Sequence, residues 1–112
     1  MLIADRAAYR RLSESDGEEL IAFLDRGGKV GVGIVPATAE QLAQTSVESL
    51  FDVFIAFLRV LESRGVARDR FLQQALITPE QSLGVLDIAS AERALHLIAG
   101  VSRRIREEFA LI

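Results

Sequence analysis

Residues 27–36, with the sequence GGKVGVGIVP, constrain the fold of this chain more than any other segment. The glycine pair at its start can adopt the left-handed conformation that ends a helix. The next six residues, Val30–Val35, are all valine, isoleucine or glycine, and no charged residue follows until Glu40. An uncharged run of this length between Gly and Pro is typical of a strand covered on both faces, as in a parallel sheet. Pro36 ends the strand because proline cannot donate to a ladder.

Helical patterns flank this strand on both sides. The helix before it ends at the glycine pair. After it, Thr38 and Thr45 each begin a sequence of the capping-box form, which predicts a short helix and then a long one from about Ser46. Because polar residues are rare at positions 50–61, we expect the long helix to be buried on more than one side.

A third strand and a final helix complete the pattern. Residues 75–78 are apolar except for the last and predict a short strand, which Pro79 is expected to end. Asp69 is the expected cap of a short helix just before this strand. Ser90 is the expected cap of the final helix, in which Leu95 and other apolar residues recur at spacings of three and four.

With residues 2–4 as a first strand, the chain alternates strand and helix three times. This order predicts the α/β class, with parallel strands in three βα units. The length of 112 residues corresponds to one domain, residues 1–112.

Composition excludes several classes of protein. The chain has 13 basic and 16 acidic residues, a net charge of −3, which argues against a nucleic-acid partner or an anionic membrane surface. It has no Cys and one His, so a disulfide, a cysteine nucleophile and a zinc site of the usual N/S type are excluded within one chain. No apolar run approaches the roughly 20 residues of a membrane span, and no secretion signal is recognisable. We therefore expect a soluble, cytoplasmic protein without a metal or cofactor.

Three apparent motifs do not indicate chemistry. Gly31 and Gly33 resemble part of a dinucleotide fingerprint, but they lie inside the strand and not after it. His96 lies within a helix, with no nucleophile placed to pair with it. The arginines at positions 103–106 fall in a late helical turn, where positive charge complements the helix dipole, and a solvated surface explains them better than an anion site.

Polar residues at the carboxyl ends of the strands are better candidates for a site. In parallel α/β folds, ligands bind at that edge of the sheet. Asp5 follows the first predicted strand, and Thr78, Glu80 and Gln81 end or follow the third. These four residues are the predicted ligand-binding set, although ordinary strand-end and turn chemistry explains them too.

Three segments together resemble the last part of the barrel in the cobalamin-independent methionine synthase and uroporphyrinogen decarboxylase superfamily. They are residues 2–5 (LIAD), 23–36 (FLDRGGKVGVGIVP) and 76–84 (LITPEQSLG). The second, a helix ending in a Gly pair followed by a strand ending in Gly-Ile-Val-Pro, is the most specific. The resemblance implies a fold similar to the final third of a (β/α)8 barrel, and it spans most of this chain.

The same resemblance argues against the family's metal chemistry. In the methionine synthases, a Cys in the third segment binds the zinc that activates the homocysteine thiol. Gln81 occupies the matching position here, and Asp5 falls near an acidic zinc ligand only in a loose alignment. Zinc-dependent methyl transfer by this chain alone is therefore not expected, and the residues leave open whether it is an enzyme.

Three strands cannot close a barrel, which needs eight strands and about 250 residues. With all helices on one face, the other sheet face and both edges would be bare, and such surfaces favour association. We therefore expect the open sheet face to be covered by self-association, as a homo-oligomer, or by a partner that supplies the missing strands.

Three functions remain open from the sequence. The first is a methionine-synthase-like segment that contributes part of a small-molecule site. The second is a non-catalytic oligomerisation or interaction module. The third is a piece of a longer methyltransferase-family polypeptide whose other part carries the chemistry.

Overall fold

The structure, a computed structural model, describes residues 2–4 and 18–109. It contains three short parallel strands, which are β1 (Leu2–Ala4), β2 (Val30–Val35) and β3 (Ala75–Pro79). They form one sheet in the order β1-β2-β3. The predicted α/β class and the parallel arrangement are confirmed, and β2 has the predicted bounds.

Five α-helices and one short 3-10 helix accompany the sheet among the described residues. They are α1 (Glu18–Asp25), α2 (Ala39–Ala43), α3 (Val47–Ser63), α4 (Arg68–Gln74), the 3-10 helix (Leu83–Val85) and α5 (Ile88–Glu108).

Local sequence chemistry explains most of the helix ends. Gly27 follows α1 with φ +81°, and Gly65 follows α3 with φ +91°, a conformation in which only glycine avoids strain. Thr38 caps α2 by accepting a hydrogen bond from the Gln41 amide. Ser46 caps α3 and forms a reciprocal capping box with Ser49, so the predicted box that begins at Thr45 is wrong by one residue.

Two further predicted caps are wrong. The N-cap of α4 is Ala67, so Asp69 lies inside the first turn, where its charge favours the helix dipole. The N-cap of α5 is Asp87, whose carboxylate accepts a hydrogen bond from the Ser90 amide at 2.7 Å. Ser90 is therefore the third residue of a helix that begins three residues earlier than predicted.

One hydrophobic core lies between the helices and one face of the sheet. Val30, Val32 and Val35 of β2 contribute to it, and each is at most 1% exposed. A bulge in the ladder explains how all three face the same way. Gly33 pairs with Thr78 and Val35 pairs with Pro79, so β2 has one extra residue at that point, which returns Val35 to the core face.

Helix α3 is buried along a single wide stripe. Its buried residues are Leu50, Phe51, Phe54, Phe57, Leu58 and Leu61. Val53, on one flank of this stripe, is 49% exposed. The expectation that this helix is buried on more than one side is therefore not met among the described residues, because Val53 is left exposed and Ile55 is only partly buried against the core.

Two strands of the expected bare sheet face differ in their exposure. On β3, Leu76 is 51% exposed, as expected of a face without a covering layer. On β2, Gly31 and Gly33 are buried. The face is therefore open at Leu76 but not along β2 or at the Thr78 hydroxyl, and its cover by a second copy or a partner stays a prediction.

Candidate functional site

The carboxyl ends of β2 and β3 meet, as the sequence predicts for strands of one parallel sheet. The last register pair joins Val35 to Pro79. One residue further, the Glu80 amide donates a hydrogen bond to the Val35 carbonyl at 2.8 Å. This bond fixes the start of the segment after β3 against the end of β2. Three of the four predicted site residues, Thr78, Glu80 and Gln81, therefore lie together at this edge.

Thr78 has an unusual environment for a polar side chain. Within the described part of the chain, its Oγ1 is the one buried side-chain nitrogen or oxygen without a hydrogen-bond partner. Its register neighbour on β2 is Gly33, which has no side chain to offer. A buried hydroxyl without a partner costs about 1–3 kcal/mol relative to a satisfied one. Such a group in a folded protein calls for an explanation, and a ligand is one of those available.

Glu80 and Gln81 extend the polar edge outwards. Glu80 is half-buried, and its backbone is held by the bond to Val35. Gln81 is exposed. The carboxylate of Glu80 can accept hydrogen bonds from an ammonium group, while the Gln81 amide can both donate and accept. Asp5, the fourth predicted residue, lies outside the described residues.

A further contact at this end of the fold was not predicted. The Arg93 guanidinium on α5 donates a hydrogen bond to the Thr45 carbonyl, just before α3, at 2.6 Å. It joins the beginnings of two helices that each follow a strand of the sheet. The sequence gives no signal for this contact because the two residues are 48 positions apart.

The predicted basic cluster is partly neutralised. Arg104 forms ion pairs with Glu48 at 3.0 Å and Glu108 at 2.9 Å, and its guanidinium lies 4.1 Å from the centre of the Phe51 ring. Hydrogen bonds to Glu108 and then Glu48 raise the pKa of Arg104 above its usual value. This arginine is therefore part of the packing between α3 and α5, which leaves no cluster of three free cations for an anion.

The zinc ligands of the resembled family do not fit this chain. No group of three or more His, Cys, Asp or Glu side chains that could hold a metal ion occurs among residues 2–4 and 18–109. His96 is exposed on α5. Under the resemblance expected from the sequence, Gln81 would stand where the family has a thiolate, and an amide is a poor zinc ligand.

No protein-family model, curated protein or solved structure matches this chain. Of the helices in the described ranges, none combines the length and the apolar character that crossing a membrane requires.

Proposed function

We propose that this protein binds a small polar molecule at the carboxyl ends of β2 and β3. The observation that carries the proposal is the buried, unpartnered hydroxyl of Thr78. Because Oγ1 has almost no accessible surface in the unbound chain, a molecule reaches it only when this edge of the sheet opens. A hydrogen bond formed there removes the penalty of the unpaired hydroxyl.

The neighbouring groups indicate the chemistry of the molecule. The Glu80 carboxylate favours a positively charged or hydrogen-bond-donating group, and the Gln81 amide can donate to an oxygen acceptor beside it. A compound with an amine and a nearby oxygen acceptor, such as a free amino acid, would satisfy both. The resemblance to methionine-synthase barrels, whose substrate homocysteine is an amino acid, agrees with this class. We place this activity in the cytoplasm and assign no metal or cofactor to it.

The test compares ligand binding by the unsubstituted chain with binding by a variant substituted at the edge of the site. A panel of free amino acids, aliphatic amines and monosaccharides is titrated into the purified chain and followed by calorimetry. Gln81→Ala is expected to weaken, by up to about tenfold, the binding of any compound that the unsubstituted chain binds. Gln73→Ala is the matched control. Gln73 is an exposed glutamine on α4, so this substitution removes the same side-chain amide at a position away from the carboxyl ends of the strands. Equal affinity of Gln81→Ala and the unsubstituted chain would contradict the proposal.

A second candidate is a non-catalytic interaction module. It is favoured by four large hydrophobic side chains that are about half or more exposed, which are Val53, Leu76, Ile88 and Leu95. Under this function no compound of the panel binds, and Gln81→Ala changes neither binding nor assembly. A piece of a longer methyltransferase-family chain is the third, and it would place the remaining site residues on segments outside this sequence.

A further inference from the structure

Helix α5 has an exposed stripe that the core does not use. Its buried side carries Ala94, Leu97, Val101 and Ile105, all at most 6% exposed. A second set of residues lies on one flank at alternating spacings of four and three, the spacing of a helix–helix seam. These seam residues are Ile88, Glu92, Leu95, Ala99, Ser102 and Arg106. Ile88 is 80% exposed and Leu95 is 58% exposed, which is unusual for large aliphatic side chains.

The seam faces away from α3. The α3 side of α5 is occupied by Gly100, where a Cβ atom would lie 2.6 Å from the Val47 side chain, and by Arg104, which pairs with Glu48. At 3.6 residues per turn, the seam lies roughly 140° around the helix from that side. It is therefore free to contact another molecule while α3 stays packed.

The charges of the seam are arranged symmetrically. Glu92 and Arg106 lie seven residues before and after Ala99, and both are exposed. Neither forms an ion pair with another described residue. A two-fold axis that passes beside Ala99 would place Glu92 of each copy against Arg106 of the other. The same axis would bring Leu95 of each copy onto the small side chains Ala99 and Ser102 of its partner.

We propose that this seam is a homodimer interface, in which α5 packs antiparallel against α5 of a second copy. Self-complementarity about one point is the property that a two-fold interface requires and that an unrelated partner does not. Charge also selects the direction, because a parallel pair would oppose Glu92 to Glu92 and Arg106 to Arg106. The interface uses none of the residues of the proposed ligand site.

The expected dimer is reversible. Six seam residues are far fewer than the roughly 20–30 residues per side of a standard interface. We therefore expect a dissociation constant between about 1 μM and about 1 mM. Because the charge contacts are exposed, the affinity should fall as salt is added.

The test is sedimentation equilibrium of the full chain at low salt, over concentrations that span this range. Arg106→Glu opposes two glutamates at both ends of the two-fold interface, so the dissociation constant should rise about tenfold. The double variant Glu92→Arg with Arg106→Glu restores opposite charges and should return the constant to about that of the unsubstituted chain. Arg59→Glu makes the same charge change on the exposed side of α3 and is the matched control. Circular dichroism establishes that each variant is folded.

Three results would overturn the proposal. The first is a monomer at every concentration. The second is an Arg106→Glu variant that associates as tightly as the Arg59→Glu control. The third is a double variant that remains as weak as Arg106→Glu alone, because reciprocal pairing requires the swap to restore affinity. A dimer that follows the expected pattern supports the interface whether or not any small molecule binds at the sheet, so the two proposals fail separately.

Discussion

Replacing Thr78 with valine is expected to stabilise the protein. Valine has nearly the shape of threonine but no hydroxyl, and it is favoured in strands. The Thr78 hydroxyl is buried without a partner, so the folded state bears its desolvation penalty with no hydrogen bond in return. Exchange for an apolar group of the same shape removes that penalty.

The size of the effect follows from the burial of this residue. A fully buried unsatisfied polar group costs about 1–3 kcal/mol. Thr78 as a residue is only half-buried, although its Oγ1 is inaccessible, so the lower end of the range applies. We expect Thr78→Val to raise the free energy of unfolding by about 1 kcal/mol. In a chain of this length, that corresponds to a rise in Tm of roughly 3–6 °C.

Urea denaturation followed by circular dichroism measures the change. The midpoint should rise while the slope with denaturant stays constant, since the surface exposed on unfolding is nearly unchanged. Thr45→Val is the matched control, because the Thr45 hydroxyl donates to the Gln41 carbonyl at 2.6 Å. That variant loses a hydrogen bond and should be destabilised by about 0.5–1 kcal/mol. The two substitutions make the same chemical change with opposite expected signs.

The result that would refute this reasoning is a Thr78→Val protein that is less stable by 1 kcal/mol or more, a loss comparable to that of a satisfied hydrogen bond. Such a loss would mean that the hydroxyl has a partner in the folded protein. The observation that carries the proposed ligand site would then be lost.

Three further outcomes are expected. Phe71→Ala should lower the free energy of unfolding by about 3–5 kcal/mol in urea denaturation, because Phe71 is fully buried with its ring centre 6.1 Å from that of Phe54. Phe71→Leu keeps most of the volume and should lower it by less than about 1.5 kcal/mol. Equal losses for the two variants would contradict a packing role. Hydrogen bonds from Ser90 lower the pKa of Asp87 below its usual 3.8, so the stability from this cap is complete above the unfolded-state pKa and is lost as the pH falls through the folded-state pKa. Asp87→Ala should therefore lower Tm at neutral pH, and this effect should diminish in acid. A Tm difference from the unsubstituted chain that stays constant with pH would argue against a role for the Asp87 charge. Metal analysis of protein purified without chelator should find no stoichiometric zinc, and one zinc per chain would contradict the inference from Gln81.

Strand β2 and its surroundings could be predicted from sequence because each signal there is local. The conformational freedom of Gly27, the uncharged run after it and Pro36 all act within ten residues, and the structure gives the same bounds for β2. Local signals did not decide which residue caps α5. Asp87 and Ser90 are both good capping residues three positions apart, and their own hydrogen bond makes one the cap and the other the third helical residue.

The candidate site was predictable only in part. That Thr78, Glu80 and Gln81 follow the same strand is a property of the sequence, and their meeting with the end of β2 follows from parallel topology. The unpaired state of the Thr78 hydroxyl was not predictable, because it depends on what the neighbouring strand offers at that register. For α5, the pattern of threes and fours places Leu95 with the core residues, whereas the structure leaves it 58% exposed. Two overlapping stripes on one helix give the same spacings, and only tertiary packing decides which one is buried.

The central claim is that a small polar molecule binds where β2 and β3 end. The most direct test is a two-dimensional 15N–1H NMR titration of the assigned chain with the panel of amino acids, amines and monosaccharides. We predict that at least one compound causes saturable shifts of the backbone amide signals of Gly33, Thr78, Glu80 and Gln81. Thr78→Val should weaken the binding of that compound about tenfold, the effect of one lost hydrogen bond. Saturable shifts confined to α3 or α5, or no binding by any compound of the panel, would contradict it.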